Sequence, residues 1–130
     1  MKILLVDDHA ATREEMVSII SEQAGMNVVG QASGGEEGVR RAEELNPDLI
    51  VMDVIMPGMN GIQATKAISA AHPAIRILAL SNHTGRSLVQ TVLDAGAAGY
   101  VRKDLAYEEL IPAITAVSRG EQYIGNGLTE

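Results

Sequence analysis

Cysteine is absent from this 130-residue chain, and so are phenylalanine and tryptophan. Without cysteine there is no disulfide framework and no thiolate metal site. Such a chain suits a reducing compartment, and a cytoplasmic location is the expectation. Without Phe or Trp, the core has to be built from Leu, Ile, Val, Ala and Met, and three Tyr carry all the aromatic character. Positive charge is scarce as well: ten Lys plus Arg stand against seventeen Asp plus Glu, a net charge of −7. That field repels a phosphate polymer on average, so this domain alone is not expected to bind nucleic acid. The adjacent basic pairs, Arg40-Arg41 and Arg102-Lys103, read as a solvated helix face and a strand end. Long apolar runs are missing too. None reaches the ~20 residues that span a bilayer, and the apolar run after Met1-Lys2 is too short for a signal peptide. No membrane partner is expected.

What is present is an alternation. At 46% hydrophobic residues, the chain has the size and composition of one soluble domain. Short apolar runs (Ile3–Val6, Val28–Ala32, Leu49–Met52, Ile75–Leu80, Tyr100–Val101) are separated by longer stretches with helical spacing. This is the pattern of βα units around a parallel sheet covered on both faces. Five strands and five helices are expected. The first helix runs from about Thr12 to Ala24, with Met16, Ile19, Ile20 and Gln23 inward and Gly25 closing it. The second spans roughly Gly35 to Leu45, with a weak start at Ser33. The third begins near Gly61 and stops at His72-Pro73. The fourth carries Leu88, Val89, Val92 and Leu93. The fifth carries Leu110, Ile111, Ile114 and Val117, with Asp104 as the candidate cap. Pro112 falls inside that helix, where it removes a hydrogen bond and is expected to bend it. From Gly120 onward the glycine-rich composition reads as a linker or tail, residues 120–130.

The chemistry gathers at strand ends. Leu49–Met52 terminates on the carboxylate of Asp53, and a loop with Pro57, Gly58 and Gly61 follows. Ile3–Val6 runs into Asp7-Asp8. Ser81 follows the fourth strand and Lys103 the fifth. In a parallel sheet with right-handed crossovers, all these ends point to one edge, where ligands bind. Carboxylates gathered there repel one another and call for a cation. Oxygen donors without thiolate or clustered imidazole suit a hard ion such as Mg²⁺. His9, His72 and His83 are scattered and read as surface or outer-shell groups, and Met52, Met56 and Met59 as packing. A carboxylate beside a cation and a lysine is equipped to take a phosphoryl group.

The Asp7-Asp8 pair, the Asp53-to-Gly61 segment with Met56-Pro57, the Leu80-Ser81 end and Gly99-Tyr100-Val101-Arg102-Lys103 resemble the receiver domain of two-component response regulators. The likeness covers about residues 1–119. It implies an α/β, three-layer, doubly wound (βα)5 flavodoxin-like fold with a five-stranded parallel sheet of order 2-1-3-4-5. It implies that Asp53 is the phosphoacceptor and that Lys103 binds the phosphoryl group. Asp8 and Asp53 would ligate Mg²⁺ directly, Asp7 through water, and Ile55 through its backbone carbonyl. Ser81 and Tyr100 would form the switch pair, the hydroxyl meeting the phosphoryl group and the ring turning inward behind it. The donor would be a sensor histidine kinase. The domain would be a signalling switch rather than a turnover enzyme, acting on its own or a separate output domain and compatible with a phosphorylation-dependent homodimer.

Finer features resemble the NarL/LuxR type: Lys103-Asp104, Leu80-Ser81-Asn82-His83 and Arg119-Gly120-Glu121-Gln122-Tyr123. That resemblance implies transcriptional output through a LuxR-type DNA-binding domain absent from this chain. Many receivers have Pro after the lysine. Asp104 stands there instead and removes the residue type that favours a cis peptide. A phosphohydrolase of haloacid-dehalogenase type also uses a strand-end Asp and Mg²⁺, but it needs a second Asp two residues on, where Ile55 stands. A dinucleotide-binding domain is disfavoured because no Gly-x-Gly-x-x-Gly follows the first strand.

Overall fold

The computed structural model describes residues 1–128. The last two residues of the expected 120–130 tail, Thr129 and Glu130, lie outside the described residues. In chain order the elements are β1 (Lys2–Val6), α1 (Ala10–Ser21), β2 (Asn27–Ala32), α2 (Gly35–Leu45), β3 (Leu49–Asp53), α3 (Gly61–Ala71), β4 (Arg76–Ser81), α4 (Arg86–Asp94), β5 (Gly99–Arg102), α5 (Ala106–Ser118) and β6 (Tyr123–Ile124). All strand pairs are parallel, in the order β2-β1-β3-β4-β5-β6. The expected order 2-1-3-4-5 is therefore present, extended by one strand.

The two faces of the sheet follow from the period-2 geometry of strands. Leu4, Val6, Ile50, Met52, Ile77, Ala79 and Tyr100 point to one face and pack under Ala42 of α2, Ala64 and Ile68 of α3, and Val89 and Val92 of α4. Ile3, Leu5, Leu49, Val51, Leu78, Leu80 and Val101 point to the other, against Met16 and Ile20 of α1 and Leu110, Ala113, Ile114 and Val117 of α5. Each buried Leu or Ile contributes roughly 1.5–3 kcal/mol. A sheet covered on both faces explains why its strands read as continuous apolar runs rather than alternating ones.

Several local expectations shift. α1 begins at Ala10, not Thr12, because Asp7 takes the His9 backbone N–H at 2.8 Å and so starts the turn earlier. It ends at Ser21, and Gln23 is exposed rather than inward. Gly25 (φ +84) instead makes the turn that brings its carbonyl 2.7 Å from the Met1 amino group. Ser33 does not cap α2: its hydroxyl donates to Glu37, and Gly34 occupies the cap position. α3 starts at Gly61 with a capping box from Asn60 and Gln63, a signal legible as Asn-x-x-Gln. Asp104 does not cap α5, since its carboxylate is held by Arg102, whose Nε donates at 3.0 Å. A single 3-10 turn over Lys103–Leu105 leads into α5 instead. α5 runs through the exposed Pro112 and leaves the Glu108 carbonyl without its helical donor. No cis peptide occurs among the described residues, so the Lys103–Asp104 bond is trans.

The largest departure is β6. Residues after Gly120 read as linker or tail, yet Tyr123 and Ile124 pair with Gly99 and Tyr100 at the edge of the sheet, and Leu128 is fully buried.

Candidate functional site

Asp7, Asp8, Asp53, Ser81 and Lys103 meet at the C-terminal edge of the sheet. Register does this: Val6 lies opposite Met52, Asp53 opposite Leu80, and Ser81 opposite Arg102. The residues just past those partners therefore share one rim. Lys103 reaches back over it, with Nζ 3.1 Å from Asp7 Oδ2 and 3.2 Å from Asp53 Oδ2. Both oxygens are ion-paired to Lys103, but neither receives a well-angled hydrogen bond, and Asp8 Oδ1 is likewise buried without a donor. One Asp7 oxygen is engaged by the His9 N–H at the start of α1.

The loop from Val54 to Asn60 closes the rim. The Gly61 N–H donates to the Val54 carbonyl at 2.9 Å. A Cβ on Gly61 would collide with the Asp53 carbonyl oxygen, so only glycine lets α3 start this close to the end of β3. Ile55, in this loop, turns its side chain to solvent at 50% exposure.

Electrostatics in the pocket are in tension. Burial pushes the Asp53 carboxyl up to about 6, the Asp7 charge pushes the same way, and Lys103 only partly opposes them. For Lys103, burial favours the neutral amine, but the carboxylates of Asp53 and Asp7 outweigh it and hold the ammonium above its ordinary range. Asp7, Asp8, His9 and Asp53 each offer a ligand atom, all within 4.8 Å of one another. Buried oxygens on three carboxylates, two sharing a single lysine and the third without a hydrogen bond, are a fit for a divalent cation, and their hardness suits an oxygen-loving one. His9, read as a surface or outer-shell group, stands beside them with Nδ1 3.3 Å from Asp8 Oδ1, its side chain 65% exposed.

Ser81 and Tyr100 are both buried. They are linked through the backbone of His83, whose N–H donates to Ser81 Oγ at 3.1 Å and whose carbonyl accepts the Tyr100 hydroxyl at 2.9 Å. The Tyr100 ring thus lies inward. Burial raises its phenol and the Asp53 charge adds to this, against the Ser81 hydroxyl. His83, one of the scattered histidines read as surface or outer-shell groups, makes this link through its backbone rather than its ring. A backbone bridge leaves no signature in side-chain type.

A doubly wound parallel sheet, with three acids and a lysine on its C-terminal rim, defines a class of phosphate-handling α/β domains. Comparison with known proteins narrows it: the response regulator receiver domain family matches residues 3–115, and the chain belongs to that family. It is 40% identical over 124 residues to the response regulator GacA of Pseudomonas syringae pv. syringae, covering 95% of this chain and 58% of the relative. It is 37% identical over 130 residues to the response regulator UvrY of Escherichia coli, covering 100% of this chain and 60% of the relative. The chain thus spans about three fifths of the length of these relatives. Among solved structures, a LuxR-family two-component response regulator from Aurantimonas sp. superposes with a TM-score of 0.90 at 38% identity, covering 94% of this chain and 87% of that one. The relatives and neighbours place this receiver among those of the NarL/LuxR type. Among the described residues no helix is long and apolar enough to cross a membrane.

Proposed function

We propose that this receiver accepts a phosphoryl group on Asp53 from the phospho-histidine of a sensor kinase. The observation that carries this reading is the Lys103 ammonium set between Asp7 Oδ2 and Asp53 Oδ2, at 3.1 and 3.2 Å, beside the buried Asp8 Oδ1, which has no hydrogen bond. An Asp53 oxygen attacks phosphorus. The P–N bond to the donor imidazole breaks, its electron pair stays with the imidazole, and an acyl phosphate forms. Lys103 neutralises phosphoryl oxygens as the charge arrives. Ser81 Oγ already accepts from the His83 N–H, so its own proton is free to donate to a phosphoryl oxygen. The inward Tyr100 ring then backs the relocated Ser81 segment.

Mg²⁺ is the cation that the donor set suits, and by likeness to the family Asp8, Asp53 and the Ile55 carbonyl would hold it directly and Asp7 through water. When bound, it supplies the positive charge that lets two anions approach. Catalysis here is the domain's own phosphorylation and slow dephosphorylation, not turnover of a substrate. Residues 1–119 carry the phosphorylation site, and the segment that follows, whose residues 123–128 complete the sheet and core, leads on to its own or a separate output domain. By likeness to the NarL/LuxR type, that output is transcriptional, through a LuxR-type DNA-binding domain, in the cytoplasm and with a phosphorylation-dependent homodimer as the acting form.

The test is intact mass after incubation with acetyl phosphate and Mg²⁺. The expected result is one added phosphoryl group on the wild type, lost with EDTA and absent in Asp53→Asn. An adduct that persists in Asp53→Asn would move the acceptor elsewhere, and none on a folded wild type would remove small-molecule phosphorylation from the reading.

A further inference from the structure

A second carboxylate is buried outside the pocket. Glu109, on the inner side of α5, is 6% exposed and plays no part in the chemistry above. Both of its oxygens are engaged. Oε2 accepts the Tyr123 hydroxyl at 2.9 Å, and the Asn126 N–H lies 3.2 Å from each oxygen. A buried carboxylate held in this way is a strong anchor, since removing its partners leaves a charge without solvation.

What it anchors is the segment 123–128, and that segment lies against Tyr100. The Tyr123 N–H donates to the Ala98 carbonyl at 3.1 Å, and the Gly125 N–H to the Tyr100 carbonyl at 2.9 Å. Approach is too close for larger residues: a Cβ on Gly99 would meet the Tyr123 carbonyl oxygen at 2.8 Å, and one on Gly125 would meet Glu109 Oε1 at 2.8 Å. Leu128 is fully buried in the same layer as Tyr100, Val89 and Val92. Bonds therefore run without a gap from Glu109 through Asn126 and Gly125 to Tyr100, then through His83 to Ser81 on the rim.

We propose that Glu109 is a positioning residue for the switch: by seating residues 123–128 as a strap along β5, it holds Tyr100 inward, so that charge capture at Asp53 and seating of the strap favour each other. This rests on the reading of Ser81 and Tyr100 as the switch pair. A strap that continues into the rest of a longer chain is then the element through which phosphorylation reaches an output domain. Coupling of this kind is reciprocal: whatever factor the pocket ligand adds to strap seating, the strap must add to ligand affinity.

Hydrogen exchange on the full 130-residue chain, with and without beryllofluoride plus Mg²⁺, tests it. In the wild type the amides of Gly125 and Asn126 should slow by about tenfold on addition of beryllofluoride, an ordinary size for coupling between sites. Glu109→Ala should abolish that protection and weaken beryllofluoride binding by a similar factor. Glu109→Gln, which keeps an acceptor oxygen, should restore most of both, and Tyr123→Phe should give a partial loss should the alanine variant not fold. Ile114→Val, a control on the same helix, should lower the melting temperature and leave the coupling unchanged. Slowing of the rim amides near Ser81 with no change in the strap would overturn the proposal, as would wild-type beryllofluoride affinity in a folded Glu109→Ala. A wild type that responds nowhere would remove the phosphoacceptor reading itself, and the proposal with it.

Discussion

Asp53 and Glu109 are both carboxylates buried in the same small domain, 2% and 6% exposed. They differ in what surrounds them. Glu109 has a donor for each oxygen, from a hydroxyl and a backbone N–H. Asp53 keeps a buried oxygen with only the Lys103 charge nearby and a second acid, Asp7, sharing that lysine. Burial with satisfaction makes an anchor, whereas burial without it makes a group that gains by acquiring a cation or a phosphoryl partner. The contrast explains how one small fold holds both a rigid clamp and a reactive pocket.

Breaking the pocket side should have the largest effect. Lys103→Ala removes the fixed charge that meets the incoming phosphoryl group, and phosphorylation by acetyl phosphate should fall roughly 10²–10³-fold, the scale found when one preorganised charge-stabilising donor is lost. Timed intact-mass measurements would show it, and a rate within a factor of about three of wild type would deny Lys103 this role. Next comes the backbone that closes the rim. Gly61→Ala places a methyl group against the Asp53 carbonyl, and urea unfolding should show a loss of about 2–3 kcal/mol, as overpacking does. An unchanged midpoint would mean that α3 slides away freely.

The third prediction sharpens the comparison through pH. Because the Asp53 carboxyl is raised from 3.8 to about 6 in the folded protein, its contribution to stability is fully present below the lower value and is lost as pH rises through the higher one. In EDTA, Asp53→Asn should therefore gain on the wild type between pH 4 and pH 7 by up to about 2.5 kcal/mol, since each tenfold change in proton affinity is worth ~1.4 kcal/mol. Mg²⁺ should narrow the gap at pH 7. Urea titrations at both pH values would show it, and a constant difference would mean that Asp53 carries no such penalty. The smallest effect is expected at the exposed rim. Ile55 and His83 flank the site, and their bulk is expected to hinder the water that hydrolyses the acyl phosphate. Ile55→Asn should speed decay of the phosphorylated form by a few-fold, about 1 kcal/mol or less on the barrier, and an unchanged half-life would reject the idea.

Much of this was legible in the amino-acid sequence because strand-end chemistry is a local signal that topology then assembles. Asp7, Asp53, Ser81 and Lys103 each follow an apolar run, and parallel pairing brings those ends together whatever their separation along the chain. The misreadings share a different cause. Asp104 sits where a cap belongs but finds Arg102 closer. Helix α1 starts early because a carboxylate from the preceding strand end captures its first turn. β6 is only Tyr123–Ile124, two strand-favouring residues too few to stand out among glycines; it pairs because β5 leaves an open edge and Glu109 holds the segment there. One clue was available. Glu109 lies on the stripe of α5 that also carries Ala106, Ala113 and Val117, and an acid on an apolar stripe asks for a buried partner.

The sixth strand also bears on how this domain behaves away from its neighbours. A bare sheet edge is a template for pairing between molecules, and Gly99–Arg102 would present one on removal of residues 120–130. Truncation would leave the Ala98 and Tyr100 carbonyls without their donors and uncover the core surface that Leu128 shares with Val89, Val92 and Tyr100, giving a sticky margin. A fragment ending at Arg119 is thus expected to aggregate at concentrations where the 130-residue chain stays dispersed.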